Sequence, residues 1–169
     1  MKTLKFVKLG LAILFILASC YYLLNPTPST LIDGVNLFIH EAGHLITSPF
    51  GEMISVMGGT VMQILIPISF FIYFVKQKSY YSAAIILFWV GQNLCNVSIY
   101  AGDALDLKLH LFGGDGVIHD WNYFLENTNQ LQNTYNISRF IYILSIIIIG
   151  IASFWSIKES LTDQDNSAI

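Results

Sequence analysis

Charge is scarce in this sequence. Only 11% of its 169 residues are charged, against about 25% in an average soluble domain. That scarcity excludes an ordinary cytosolic enzyme and a disordered chain. Eight Lys and Arg residues face eleven Asp and Glu residues. No basic face is left for phosphates, so nucleic acid is not an expected partner. Cysteine is scarce as well. Cys20 and Cys95 both lie in apolar runs, which excludes a disulfide framework and a zinc ribbon. What is abundant is apolar: 54% of the chain, with a mean hydropathy of +0.61. The length suits one domain, and that domain is expected to use lipid as its solvent.

The uncharged runs define the organisation. Lys2, Lys5 and Lys8 precede the run 9–24, which reads as an N-terminal signal anchor. Leu17-Ala18-Ser19-Cys20 resembles a lipoprotein cleavage box, with Cys20 the residue that would be lipidated. Tyr21 to Leu24 continue the apolar run past it, which favours the anchor. Pro26 to Ser29 form a linker. The runs 53–75, 79–102 and 140–157 follow, long enough to span a bilayer core of about 20 residues. The expectation is an all-α membrane bundle over 1–158, with four spans, and a disordered polar tail over 159–169. The segment 31–50 is helical in pattern but carries Asp33, His40, Glu41 and His44. It is either a fifth span or a partly inserted helix. If it does not cross, all the lysines flanking the first spans fall on the inside, as the positive-inside rule favours.

His40-Glu41-Ala42-Gly43-His44 is an H-E-x-x-H pattern. On a helix, residues i and i+4 share a face, so both imidazoles can hold one Zn²⁺. Glu41 lies beside them, placed to take a proton from a zinc-activated water. Ionisable groups inside an apolar helix are costly and are usually functional. Asn36 or Asp33 is expected to cap this helix, and Pro49 and Gly51 to end it.

A catalytic zinc takes three protein ligands. The third is expected in 103–120, where zinc chemistry favours His119. Asp120, Asp115 and Asp103 are the alternatives, and Asp120 is also a candidate for orienting an imidazole. Gln92, Asn96, Tyr100 and Asp103 share one face of the 79–102 helix. They line the site or bond to neighbouring helices. On the preceding helix, Gly58 and Gly59 allow close backbone approach, and Gln63 is a second polar candidate.

A hydrophobic chain with H-E-x-x-H in a membrane helix resembles the site-2 protease class of intramembrane zinc metallopeptidases. In that class a Gly-Pro-x-x-Asn element follows the motif, and Gly59-Thr60-Val61-Met62-Gln63 is similar, with Thr for Pro and Gln for Asn. A Leu-Asp-Gly element carries the aspartate ligand there. Gly114-Asp115-Gly116 resembles it, and His119-Asp120-Trp121 is a rival placement. The resemblance implies a divergent branch that hydrolyses peptide bonds of membrane-anchored substrates. Two other readings compete: a non-catalytic zinc-binding scaffold or regulator, and a small metal transporter. Short loops point to a bacterial inner membrane.

Overall fold

The computed structural model describes residues 2–25, 30–110 and 117–162. The described residues are all-α, with no strand among them. In chain order the helices are α1 (Lys2–Leu24), α2 (Leu31–Thr47), α3 (Glu52–Lys76), α4 (Tyr80–Gly102), α5 (Asp120–Asn127) and α6 (Thr134–Leu161). Four of them, α1, α3, α4 and α6, are long and apolar enough to cross a membrane.

Helix α4 is the axis of the bundle. It buries Ala83, Ala84, Leu87, Phe88, Val90 and Gly91 among others. Small residues set its seam with α6. Lipid offers helices no hydrophobic gain for associating, so close backbone approach and interhelical hydrogen bonds carry the packing. Here Ile149 fills the space beside Gly91. Ser145 Oγ donates to Gly91 O at 2.9 Å, and Ser138 Oγ donates to Ser98 O at 2.7 Å.

Contacts at the helix ends give the direction of each span. Near one end of the bundle, Tyr81 Oη at the start of α4 donates to Lys8 O in α1. There too the Trp155 ring, late in α6, lies 6.2 Å from Tyr80 and 6.1 Å from Phe71, late in α3. At the other end, early α6 meets late α4 through Ser138, and Tyr142 Oη donates to Leu23 O, late in α1. Helices α1 and α4 therefore run one way, and α3 and α6 the other. The chain leaves α1 and enters α3 at the same end, so α2 does not cross. This course agrees with the reading of four spans without a fifth at 31–50.

Thr30 and Asp33 form a capping box at the start of α2. The Thr30 side chain accepts from Asp33 N–H, and the Thr30 N–H donates to Asp33 Oδ2 at 2.9 Å. The cap is thus Thr30, where Asp33 or Asn36 was expected. Asn36 is instead buried against α4. The helix ends in a 3-10 turn, Ser48–Phe50, and Gly51 at φ 102° redirects the chain into α3, a left-handed conformation that suits glycine. Two boundaries also move. Helix α6 begins at Thr134 and continues through Leu161, so residues 159–161 belong to the bundle and not to a tail. Residues 163–169 lie outside the described residues.

Candidate metal centre

Helix α2 lies against α3 with almost no spacer. A Cβ on Gly43 would strike the Gly58 carbonyl, and one on Gly58 would strike the Thr47 side chain. This contact brings His40 and His44 over Gly59. A Cβ at Gly59 would stand 2.7 Å from His40 Nε2 and 2.7 Å from His44 Nε2. The absence of a side chain there leaves room beneath both imidazoles.

Each imidazole is oriented through its other nitrogen. His44 Nδ1 lies 2.8 Å from Ser55 O. A carbonyl only accepts, so Nδ1 carries the proton. His40 Nδ1 lies 3.2 Å from Gln63 Oε1, while the Gln63 amide nitrogen donates to Asn96 Oδ1 at 2.8 Å. This arrangement also assigns the His40 proton to Nδ1. Both Nε2 lone pairs are left pointing inward, the arrangement typical of metal-binding histidines.

Asp120 completes the set. Its Oδ2 lies 2.8 Å from His40 Nε2 and 3.2 Å from His44 Nε2. The three ligand atoms fall within 4.8 Å of one another. Ligands about 2.0–2.1 Å from a tetrahedral zinc stand about 3.3 Å apart, so the donor types and the two Asp120 separations suit such an ion. Three ligating atoms face one another, and a shared cation would satisfy them all. A proton fills that role in part: the hydrogen bond to Asp120 raises the His44 pKa to about 9, against the opposing effect of burial. Burial pushes the Asp120 carboxyl up, but the His40 and His44 contacts outweigh it and hold the group below the usual carboxylate range. Asp120 also opens α5, where the helix dipole favours a negative charge. Tyr100 Oη accepts its backbone N–H at 3.1 Å.

His119, the favoured third ligand on chemical grounds, does not join the set. Its Nδ1 caps α5 by accepting Asn122 N–H at 3.2 Å. Its Nε2 is turned to Asp103, 3.4 Å away, and its ring lies against Tyr100 with centroids 4.4 Å apart. Burial lowers its pKa. Both nitrogens are thus directed away from the cluster. Asp103 is a loop cap, accepting from Lys108 N–H at 2.8 Å and Leu109 N–H at 3.0 Å. Asp115 lies outside the described residues.

The expected polar face of α4 divides in two. Asn96 and Tyr100 line a cavity of about 650 Å³ together with Gln63, Glu41 and the three cluster residues. Gln92 belongs to a separate node. It donates to Asp33 Oδ1 at 2.6 Å and accepts from Asn36 Nδ2 at 2.7 Å. Trp89 Nε1 and Asn93 Nδ2 donate to Asn36 Oδ1 at 2.8 and 3.2 Å. Sequence reading passed over Ser55 as an imidazole partner and Asn36 as the hub of this node. A backbone acceptor leaves no signal in sequence. A lone Asn inside an apolar helix does leave one.

No protein-family model matches the chain, and no curated protein or solved structure matches it.

Proposed function

We propose that the chain is a membrane-embedded zinc metallopeptidase with His40, His44 and Asp120 as its ligands and Glu41 as its proton carrier. The observation that carries this reading is the convergence of both Nε2 atoms and Asp120 Oδ2 at the wall of a cavity that Glu41 also lines. Zinc held there supplies Lewis acidity, which polarises a peptide carbonyl and makes water a nucleophile near neutral pH. The chain's own residues do the rest. Gln63 and the Ser55 carbonyl hold the imidazoles in the ligating tautomer. Glu41 accepts the proton from the attacking water and delivers it to the departing amine. Asn96 and Tyr100, on the facing wall, offer polar contacts to the substrate backbone. The resemblance of His40-Glu41-Ala42-Gly43-His44 to the site-2 protease motif supports the same reading, with Asp120 in the aspartate role.

The test is metal content together with turnover in detergent-purified protein. Wild type is expected to hold about one zinc per chain, as a single site requires, and to cleave an unstructured peptide library. Glu41→Gln should keep the zinc and lose the cleavage. Zinc binding with no Glu41-dependent cleavage would favour the scaffold reading. Zinc movement across liposomes would favour the transporter.

A further inference from the structure

The ends of the bundle differ sharply in charge. Lys5 and Lys8 begin α1, Lys76 ends α3, Lys78 precedes α4 and Lys158 lies near the end of α6. These are five of the chain's eight cationic residues, and the helix directions put all five at one end. Lys2 opens the same α1. Aromatic rings accompany them: Lys8 Nζ sits 5.4 Å over the Tyr81 ring, and Trp155 lies against Tyr80. The opposite end has only Lys108, held at 3.0 Å by Asp106, and Arg139. Basic residues close to span ends stay on the cytoplasmic side, and interfacial Trp and Tyr mark the same boundary.

The metal cluster belongs to the other end. Asp120 opens α5, which lies beyond α4, and its N–H bonds to Tyr100, two residues before α4 ends. At 1.5 Å per residue, Tyr100 is about 3 Å inside the end of α4. His44 meets Ser55, three residues into α3, about 4–5 Å inside that helix. Gly59, beneath both imidazoles, is seven residues into α3, about 10 Å from that end, so the cluster lies in the half of the bundle away from the lysines.

The cavity runs from the cluster along α2 to Asp33 and Thr30, past apolar walls of Leu37, Ile99, Leu109, Val117 and Ile118. Asp33 and His40 are two helical turns apart, about 10 Å. An extended peptide advances about 3.3 Å per residue, so about three residues fit between them.

We propose that this centre faces the extracytoplasmic side of its membrane and takes short, extended, apolar peptide segments presented on that side. The substrate class rests on the peptidase reading. The orientation does not.

Orientation is tested in a Cys20→Ala/Cys95→Ala background, with one new cysteine at a time and a membrane-impermeant maleimide applied to right-side-out vesicles. Glu126 and Gln77 are both exposed, at opposite ends. Glu126→Cys should label in sealed vesicles, and Gln77→Cys only after permeabilisation. The reverse pattern, or equal labelling of both, overturns the orientation. The substrate is tested with single-span reporters carrying an apolar, unstructured segment just outside the bilayer on one side or the other, with Glu41→Gln as control. Cleavage of the extracytoplasmic reporter alone supports the proposal. Cleavage of the cytoplasmic reporter overturns it. Cleavage of neither by zinc-loaded, correctly oriented protein overturns both the substrate class and the peptidase reading, and leaves the orientation standing.

Discussion

Helix α2 carries two polar nodes on the face it turns to the bundle, centred on Asn36 and His40 about one turn apart, and they differ in how their protons are matched. Around Asn36, donors and acceptors alternate. The Asn36 amide donates to Gln92, Gln92 donates to Asp33, and Trp89 and Asn93 donate to Asn36. Tyr22 Oη also donates to Asp33, at 3.0 Å. Only Asn93 Oδ1 is left without a partner there. Around His40 the Nδ1 donors point outward, to Gln63 and the Ser55 carbonyl, and the two Nε2 atoms and Asp120 Oδ2 are left to share one proton or one cation. Matched nodes hold helices together. A node short of protons asks for a cation. Burial and polarity alone would not have told the two apart, since His40, Asn36 and Asp120 are all buried.

The largest effects should come from the unmatched node. His40→Ala or Asp120→Ala should take bound zinc from about one per chain to near none, while His119→Ala keeps it, as measured by elemental analysis. Loss of zinc in His119→Ala with retention in Asp120→Ala would reverse the assignment. Gly59→Ala should also empty the site, because its Cβ would stand 2.7 Å from both Nε2 atoms. Circular dichroism should show the helices retained. Glu41→Gln leaves the ligands intact and should lower turnover by about 10²–10⁴-fold, the usual contribution of a general base.

Smaller effects should follow from the partners around each node. Gln63→Ala removes the acceptor that orients His40 and should weaken zinc affinity by about 10–100-fold in competition with a chelator. Asn36→Leu breaks the matched node and strands the Trp89 and Asn93 donors. It should cost about 1–3 kcal/mol of stability, read as a lower Tm in detergent, with zinc stoichiometry unchanged. A loss of zinc in Asn36→Leu would mean that the two nodes are not separate.

Much of this organisation was legible in the residues. The four spans follow from uncharged runs, and the paired histidines from i, i+4 spacing. The Thr30-x-x-Asp33 capping box was also readable, though a nearer-looking Asn36 competed with it. The third member of the cluster was not readable for a geometric reason. His119 and Asp120 are neighbours at the start of α5, one the cap and the other the first helical residue. That single step turns their side chains to opposite sides, one toward Asp103 and the other toward the cluster. Chemistry favoured the imidazole, and helix geometry presents the carboxylate. The course of α2 depended likewise on contacts far apart in sequence, such as Asn36 with Gln92 and Gly43 with Gly58.

The most direct measurement is X-ray absorption at the zinc edge of the loaded wild-type protein and of the His119→Ala variant. The account predicts two imidazole nitrogens and a carboxylate oxygen at about 2.0–2.2 Å, with identical spectra for the two proteins. A third imidazole in the wild type, lost in His119→Ala, would contradict it.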